Sequence, residues 1–511
     1  MKSARPINLN EIKEFSSELE KDSLFISVRN ALTKTKVSDI VINHKENNNL
    51  SNNFSKDFLL SSSVITNQNM SGRCWLFATL NMIRDKFAKD NKIDNFEFSQ
   101  SFCAFWDKLE RANAFLDNIV KTARLDVDDR TIYTLLQMCN SDGGFFSMSV
   151  DIITKYGLVP KSIMPDSFSA QNTTLMNKLL DLKLKQGAKN LRNAVAQGLD
   201  VIKEREKILF DVYKILVMCY GQISKTFDFE YATKDGKGNK IIKRFKNITP
   251  LQMLKKTKFD LNDYVSITSS PYKKLRYNQM YEIEYSSSVA EKPNVNFLNV
   301  DRNVFKLLAF IMMDSKIPIW FACDVDHFGD RQKGWWDDKS FDFESAFGQK
   351  FKTDIANQIE FRQISTNHAM SLIGMDFDAD KTKANVKIHL SKIKKFNYET
   401  FVELAQQLKI NRWKIENSWG SKYGNKGFYV MTDSWFDKYV SEIVVSKKAL
   451  IEWLKNPTFL EKTQFSKFKD SNLKGKKNEW LFEKLIGEGL KTKPIPLKLW
   501  TPLNTYKKGV K

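Results

Sequence analysis

Apolar residues recur every three or four positions through the first part of the chain, and this spacing predicts helices. Residues 9–35 place Ile12 and Phe15 on one face, which predicts a helical arm. A second amphipathic pattern begins at Cys74, and a polar loop, Asn47–Asn53, lies before it. The same spacing predicts helices over Phe98–Val120, Leu175–Leu184 and Ile202–Val217.

Short runs rich in β-branched and aromatic residues dominate the later part of the chain and predict strands. They cover Tyr281–Tyr285, Ile317–Cys323, Ala369–Met375, Val386–Leu390, Arg412–Glu416 and Phe428–Met431. After Val445 the pattern becomes helical and basic again. A helical part followed by a strand-rich part predicts an α+β fold.

The charge of the chain is strongly basic. Lysine and arginine number 81 against 60 acidic residues, which gives a formal net charge of +21. Such an excess can attract nucleic acid, so weak nucleic-acid binding stays open as an alternative. No glycine-rich phosphate loop or zinc-finger spacing accompanies the charge. We therefore favour a compositional bias toward lysine over a specific nucleic-acid function.

Five cysteines, an odd number without any Cys-x-x-Cys pair, argue against a disulfide framework and a zinc site. A reducing, cytoplasmic environment fits them best. The first residues lack the apolar run of a secretory signal. The longest apolar stretch, Leu307–Cys323, is interrupted by Asp314, Lys316 and Pro318, so no membrane span is expected.

Cys74 is the strongest candidate for chemistry, because it follows a glycine turn and begins an amphipathic helix. A thiol attacks a carbonyl as the thiolate, and its ordinary pKa is about 8.5. The N–H groups at a helix N-terminus carry partial positive charge, so this position predicts a lowered pKa for Cys74. Gln68, six residues upstream, offers an amide N–H that can donate to the oxyanion of acyl transfer. The pattern predicts an activated nucleophile.

His368 is the favoured base among only four histidines in the chain. It stands at the start of an apolar strand pattern, where a side chain is held firmly and can face a cleft. Asn417, in the motif Asn-Ser-Trp-Gly, can accept from the imidazole N–H and fix the orientation of the ring. Trp419 can cover that hydrogen bond against water. The order Gln, Cys, His, Asn therefore predicts one catalytic set.

Other candidate sites fail on spacing or context. Asp376–Asp380 begins like a calcium loop, but Lys381 and Lys387 occupy the positions that need a glycine and a closing acid. His327 is expected at the surface or beside the site, and Cys323 is expected to be a core thiol.

These motifs resemble those of the papain-like cysteine peptidases, and more closely those of the bleomycin hydrolase/aminopeptidase C family. The catalytic motifs lie in Gln68–Ala78, Asn367–Gly374 and Glu416–Gly420. The likeness continues in chain order through Phe98–Gln100, Phe105–Glu110, Asp142–Gly144, Lys155–Pro160, Thr249–Leu251, Tyr264–Ser266 and Trp320–Val325. Agreement among so many separate segments makes the resemblance specific.

The resemblance implies a papain-like two-lobed α+β core with helical insertions, assembled as a homohexamer whose active sites face an internal channel. It implies a cytosolic aminopeptidase of broad specificity that acts on peptides and needs no metal or other cofactor. By position, Cys74 is the nucleophile, His368 the base and acid, and Asn417 the residue that orients the imidazole. Gln68 and the Cys74 backbone N–H form the oxyanion hole.

The same resemblance implies substrate-binding residues and a division of the chain. Asp142, Gly143 and Gly144 match a stretch that lines the substrate cleft through its backbone, and Trp419 is expected beside it. The expected segments are 1–60 (N-terminal helical arm), 61–164 (helical lobe with the nucleophile), 165–285 (mainly helical insertion), 286–445 (β-rich lobe with His and Asn) and 446–511 (C-terminal helical segment and tail).

The end of the chain departs from the family pattern, in which a short C-terminus lies in the cleft and its carboxylate restricts cleavage to N-terminal residues. Here Trp500–Asn504 is followed by the basic segment Thr505–Lys511, whose lysines weaken the attraction of the carboxylate for a cationic amine. A cysteine aminopeptidase is the favoured function. A papain-like endopeptidase with a displaced tail and a nucleic-acid-binding particle with a basic channel are the alternatives.

Overall fold

The computed structural model of the chain describes residues 5–58, 65–351, 353–392, 398–455 and 484–496. The helices in these ranges are α1 Leu9–Leu19, α2 Ser23–Leu32, α3 Val37–Ile40, α4 His44–Asn48, α5 Cys74–Asn91, α6 Gln100–Lys121, α7 Arg130–Met138, α8 Phe146–Tyr156, α9 Phe168–Gln171, α10 Thr174–Ala196, α11 Val201–Tyr220, α12 Pro250–Thr257, α13 Arg302–Asp314, α14 Phe343–Phe347, α15 Ile355–Glu360, α16 Ala379–Lys392, α17 Tyr398–Gln406, α18 Asp433–Tyr439 and α19 Lys447–Lys455.

The strands in the same ranges are β1 Lys56–Asp57, β2 Phe227–Lys234, β3 Lys240–Ile248, β4 Tyr264–Thr268, β5 Gln279–Ile283, β6 Asn296–Asn299, β7 Ile319–Cys323, β8 Gly329–Asp330, β9 Trp335–Trp336, β10 His368–Phe377, β11 Ile410–Glu416, β12 Phe428–Thr432, β13 Val440–Ser446 and β14 Lys493–Ile495. A large sheet runs in the order β14-β5-β6-β4-β13-β7-β10-β11-β12-β9-β8, with β1 added beside β10. The hairpin β2–β3 is separate from it.

The helices predicted in the first part of the chain are present. Helix α5 begins at Cys74 itself, and α6 covers the predicted segment Phe98–Val120, where the Ser99 hydroxyl accepts from the Phe102 N–H at 3.1 Å. The N-terminal arm forms two helices because the Asp22 carboxylate caps α2, accepting from the N–H groups of its first turn.

The strand predicted over Val386–Leu390 is wrong, because these residues belong to α16. Thr382 and Val386 are fully buried and lie four positions apart, while Ile388 is 56% exposed. That is the spacing of one helix face, which a short run of β-branched residues concealed. The other five predicted strands are present as β5, β7, β10, β11 and β12, with ends shifted by a few residues.

The region expected to be mainly helical, 165–285, contains α9–α12 but also the hairpin β2–β3 and strands β4 and β5. In β2, Phe227 and Tyr231 are buried between exposed residues, which is the alternation of a half-buried strand. The hairpin turn is built on Asp235, whose carboxylate accepts from the backbone N–H groups of Lys237 and Asn239. The lysine-rich composition of β3 masked this signal.

The centre of the sheet brings together segments that are far apart in sequence. Strand β10 pairs antiparallel with β7 and with β11, so His368 lies opposite Cys323 and Ser371 lies opposite Glu416. Because Asn417 directly follows β11, this register places it beside the first residue of β10. The predicted strands thus position the two residues at one edge of the same sheet.

Helix α5 packs against β7 and β10 on one side and against α6, α8 and α12 on the others. The Trp320 indole N–H donates to the Trp75 carbonyl at 3.1 Å, and the Ser371 hydroxyl donates to the Ala78 carbonyl at 3.3 Å. These bonds join the helix that carries Cys74 to β7 and to β10, the strand that begins with His368. Across the described residues, none of the helices combines the length and apolarity that a membrane crossing requires.

A buried ion pair also joins the two parts of the core. Arg84 of α5 contacts Glu416 at the end of β11, and both side chains are only 1% exposed. Burial raises the pKa of Glu416, and the neighbouring guanidinium opposes that shift. The pair therefore fixes the helix of the nucleophile to the strand that ends at Asn417.

We expect Arg84→Met to lower the free energy of unfolding by about 3–5 kcal/mol, because it strands a buried carboxylate. Asp85 and Glu97 both raise the pKa of Glu416, so these negative neighbours disfavour the stranded carboxylate further. The penalty should be larger at pH 8 than at pH 5, where Glu416 can take up a proton. Urea unfolding of Arg84→Met and of the double variant with Glu416→Gln measures it, and the double variant should recover part of the loss.

The exposed pair Arg244–Glu230 on the hairpin is the matched control, with both side chains more than half exposed. Its removal should change the free energy of unfolding by less than about 1 kcal/mol. Equal effects at the two pairs would contradict a structural role for the buried one.

Candidate active site

Cys74 lies at the first position of α5 and is 8% exposed. Burial raises the pKa of its thiol to about 11, while the backbone N–H groups of Ala369, Trp75 and Cys74 itself oppose this shift. The expectation that the helix N-terminus gives Cys74 a low pKa is therefore wrong for the thiol alone. The loss of hydration outweighs the partial charge of the helix end.

His368 is buried next to the Cys74 segment. The next residue of β10, Ala369, directs its backbone N–H to the Cys74 sulfur. The His368 Nε2 lies 2.9 Å from the Asn417 Oδ1. The Ser418 N–H donates to the same oxygen at 2.8 Å, which identifies that atom as the amide oxygen. The imidazole therefore carries its proton on Nε2, and Nδ1 is left as the acceptor.

Burial lowers the pKa of His368 to about 4, and the hydrogen bond to Asn417 opposes the shift. Near neutral pH, a lone thiolate and a lone imidazolium are both disfavoured in this setting. Transfer of one proton from the thiol to the imidazole creates the two charges together, so each compensates the other. The arrangement can therefore activate sulfur through the pair, without a free acidic thiol.

Trp419 covers the imidazole, as its sequence position suggests. The two rings stack with centroids 4.7 Å apart and planes 27° apart. Trp419 is held in turn by edge contacts with Trp336 and Tyr429. This aromatic cluster shields the His368–Asn417 hydrogen bond from water and so strengthens it.

Gln68 is fixed to the loop that carries Asn417. Its backbone N–H donates to the Ser418 carbonyl at 2.8 Å, and its Oε1 accepts from the Ser418 hydroxyl at 2.7 Å. Its amide nitrogen donates to the Ser71 carbonyl at 2.5 Å, which uses one of its two N–H groups. The structure thus brings Gln68, Cys74, His368 and Asn417 into one buried cluster, as their sequence order predicts.

The side chain of Asp142 is held by partners within the protein. Its carboxylate contacts the Lys108 ammonium at 2.7 Å and accepts from the Thr173 hydroxyl at 2.5 Å. Burial alone would raise its pKa, but Lys108 and the hydrogen bonds hold that pKa well below the usual range. Its carbonyl accepts from the Trp75 indole N–H at 2.8 Å. The carboxylate and the carbonyl oxygen of Asp142 are therefore both bound by partners within the protein.

Gly143 and Gly144 line a cavity of about 90 Å³ next to Trp75. The other walls of this cavity include Phe145, Met148, Ala322 and Thr366. A Cβ atom on Gly144 would lie 2.6 Å from the Trp75 ring, so a glycine is needed for the loop to pass this close. Trp419 does not line this cavity and stacks on His368.

Two residues that position His368 were not found from the sequence. The Asp324 carboxylate accepts from the Asn367 amide at 2.8 Å and from the Ser365 N–H at 2.8 Å. These bonds hold the turn that leads into β10. The sequence offers a signal only in retrospect, in an acidic residue directly after the fully apolar strand β7. Ser418, which ties Gln68 to the Asn417 loop, also has no distinctive sequence signal, because serine is common in turns.

Comparisons with known proteins agree with this arrangement. The family model described as the Peptidase C1-like family matches residues 6–401 and 396–465. Aminopeptidase C of Listeria innocua is 36% identical over 387 residues, which cover 76% of this chain and 80% of the relative. Aminopeptidase E of Lactobacillus helveticus is 33% identical over 453 residues, which cover 88% and 95%.

A solved structure extends the similarity to the fold. The crystal structure of PepW from Lactobacillus rhamnosis HN001 superposes with a TM-score of 0.79 at 29% identity, covering 98% of both chains. The α+β, papain-like fold expected from the sequence is thereby confirmed, as is the resemblance to the bleomycin hydrolase/aminopeptidase C family. The chain belongs to the Peptidase C1-like family of cysteine peptidases.

Proposed function

We propose that this chain is a cysteine aminopeptidase that removes N-terminal residues from peptides, with broad specificity, through a thioester acyl-enzyme. The observation that carries the proposal is the imidazole of His368, held by Asn417 next to the Cys74 segment, in a chain 36% identical to an aminopeptidase C. The alternatives of an endopeptidase and of a nucleic-acid-binding particle are less favoured, because the relatives are named aminopeptidases and a binding particle has no need of this cluster.

The first step forms the acyl-enzyme. His368 Nδ1 takes the proton from the Cys74 thiol, and the thiolate attacks the carbonyl carbon of the scissile amide. The carbonyl oxygen gains the negative charge and accepts from the Cys74 N–H and from the second amide N–H of Gln68. The C–N bond then breaks, and the imidazolium gives its proton to the leaving amine.

The second step hydrolyses the thioester. The neutral imidazole takes a proton from water, whose oxygen attacks the acyl carbon, and the sulfur leaves as thiolate and regains that proton. Asn417 accepts from Nε2–H in both steps and so keeps the same tautomer and ring orientation throughout. No charge has to be added to the buried site from outside.

Restriction to N-terminal residues is the least direct part of this proposal. In the related family the end of the chain provides it, and here the tail segments Trp500–Asn504 and Thr505–Lys511 lie outside the described residues. The names of the relatives support an aminopeptidase, whereas the basic tail leaves endopeptidase action as the outcome to test.

We further propose that the enzyme works in the cytoplasm as a homohexamer. All five cysteines are unpaired, which suits a reducing compartment. Helix α1 buries none of its residues and exposes Leu9, Phe15 and Leu19. Helix α10 exposes a second apolar stripe, Leu175, Leu179 and Leu182, 45% or more of each being accessible. Contiguous exposed apolar surface of this kind is typical of subunit interfaces.

A blocked amine should abolish most of the activity. We expect the kcat/KM for N-acetyl-leucyl-aminomethylcoumarin to fall roughly tenfold or more below that of the free-amine substrate, since a bound ammonium loses its ionic hydrogen bond. Fluorescence release by the purified full chain measures both. Cys74→Ala should remove turnover of either substrate, and Cys219→Ala, at a half-buried thiol outside the cluster, is the matched control. Equal cleavage of both substrates would replace the aminopeptidase by an endopeptidase.

The pH dependence of Cys74 alkylation tests the base. Iodoacetamide should label Cys74 from neutral pH down to about pH 4, because His368, with its pKa lowered to about 4, can accept the thiol proton above that pH. Asn417→Ala removes the bond that opposes this lowering, so the acid limb should move to lower pH. The plateau rate should fall roughly tenfold or more, since the imidazolium loses a charge-assisted hydrogen bond.

Mass spectrometry of the peptide that contains Cys74 gives these rates. Asn411→Ala, which removes an exposed amide bonded to Asp376, is the control and should leave the profile unchanged. An acid limb near pH 8.5, the ordinary range of a free thiol, would show that His368 does not activate the sulfur.

The assembly is tested by mass. Sedimentation should give about six times the chain mass of 59.4 kDa. The double variant Leu175→Glu, Leu182→Glu should lower it, because buried carboxylates would oppose the interface. Ile388→Glu, at an isolated exposed residue of α16, is the control. A wild-type mass of one chain would reject the proposed assembly.

A further inference from the structure

An exposed arginine lies two stacking contacts away from the catalytic imidazole. The Arg331 Cζ is 4.5 Å from the centroid of the Trp419 ring and 4.5 Å from that of Tyr423. Trp419 in turn stacks on His368. Arg331 was not predicted as a site residue, because it lies in a short loop between β8 and β9 without any recognisable motif.

The backbone fixes the position of Arg331 closely. The Gln332 carbonyl accepts from the Gly424 N–H at 3.0 Å, which joins its loop to the Asn417–Gly427 segment. On the other side, Gly334 has φ +75°, and a Cβ there would lie 2.4 Å from the Gly424 Cα. The two loops therefore approach as closely as two backbones can, and Arg331 has little freedom relative to Trp419.

The guanidinium is prepared to bind an anion. Its Cζ lies 4.5 Å from both ring centroids, and a guanidinium has five N–H donors, all in the plane of the group. Within the described part of the chain, no carboxylate is hydrogen-bonded or ion-paired to it. Because the rings already restrict the side chain, binding an anion costs less conformational entropy than it would for a free arginine. Lys422, which is exposed and lies over the Tyr423 ring, adds positive charge nearby.

The position of Arg331 indicates which half of a substrate would meet it. The cavity lined by Gly143 and Gly144 lies on the Trp75 side of the site, and neither Trp419 nor Arg331 lines it. In the proposed reaction His368 protonates the leaving nitrogen, so the leaving peptide passes close to the imidazole and to Trp419, which stacks on it and carries Arg331 over its ring. Arg331 would then face the residues that follow the scissile bond.

We infer that Arg331 is a specificity-determining residue that binds a carboxylate of the leaving peptide, either its C-terminal carboxylate or an acidic side chain just after the scissile bond. This inference rests on the proposed function. It makes short peptides with a free C-terminus, and peptides with Asp or Glu after the N-terminal residue, better substrates than their neutral counterparts. The planar guanidinium can engage both oxygens of such a group.

The bound carboxylate would also act on the base. Arg331 lowers the pKa of His368, and Asp326, the other charged group that bears on this imidazole, opposes it. A carboxylate on Arg331 would offset the positive charge and make His368 more basic when a preferred leaving group is present. Substrate selection and proton transfer would thus be coupled through the Trp419 stack.

The test compares substrates that differ only in the leaving group. Leu-Gly against Leu-Gly-amide tests the C-terminal carboxylate, and Leu-Glu-amide against Leu-Gln-amide tests the acidic side chain. We expect the wild-type enzyme to favour the charged member of at least one pair about fivefold in kcat/KM, as a partly exposed ionic hydrogen bond allows. Arg331→Gln should reduce that ratio to about one, and Arg331→Lys should keep part of it.

Lys333→Gln is the matched control, since it removes the same charge from the same loop without touching the stack. It should leave the ratio unchanged, whereas Arg331→Gln should also raise the acid limb of Cys74 alkylation. A ratio of one in the wild-type enzyme, or equal losses in both variants, would overturn the inference. Leucyl-aminomethylcoumarin, which carries no carboxylate, distinguishes failure of the Arg331 inference from failure of the proposed function. If the enzyme cleaves it but shows no preference for the charged peptides, only the Arg331 inference is wrong. If the enzyme does not cleave it, the proposed aminopeptidase function is wrong as well.

Discussion

The burial of the first turns of helix α5 is the constraint on which the rest of the structure depends. Its first turns, from Trp75 to Ile83, are buried on every face, so the helix needs apolar neighbours on all sides. Strands β7 and β10 cover one side, and α6, α8 and α12 cover the others. A helix enclosed in this way has its N-terminus at the junction of helices and sheet. Cys74 reaches His368 because that junction also holds the first residue of β10.

The same burial decides how charge is handled at the site. Removing water raises the pKa of Cys74 to about 11 and lowers that of His368 to about 4, so neither group ionises readily alone. When the two groups ionise together, each charge stabilises the other. The buried ion pair Arg84–Glu416 is stabilised in the same way. Dry surroundings thus both require pairing and strengthen it, which suits a reaction whose charges appear and disappear together.

The sequence predicts the cluster of Cys74, His368 and Asn417 because each of these residues lies in a local motif. Cys74 precedes a helical pattern, His368 begins an apolar strand, and Asn417 ends another, so their residue types and their places in secondary structure could be read together. Gly144 was identified by its motif as well, although the need for a glycine there comes from the Trp75 ring. The ion pair of Asp142 with Lys108 could not be predicted from the sequence, because Lys108 lies in α6, far from Asp142 along the chain.

Residues that act through tertiary partners could not be predicted from the sequence. Asp324 and Ser418 are ordinary turn residues until their partners are seen, and Arg84 and Glu416 lie in segments distant along the chain. The error over Val386–Leu390 has a related cause. A five-residue window holds too few positions to separate a helical face from a strand, and only the burial of Thr382 one turn earlier decides between them.

The loop after β11 joins the parts of the site that differ in function. Asn417 orients the base, Ser418 holds Gln68, and Trp419 carries the contact with Arg331. A short segment therefore sets the tautomer of the imidazole, the position of an oxyanion donor and the surface that the leaving peptide meets. Because Gly424 packs against Gly334, the far end of this loop is fixed as firmly as its beginning. A substitution of the Arg331 side chain can consequently alter substrate preference while the cluster keeps its hydrogen bonds, since this side chain meets the cluster through the Trp419 ring.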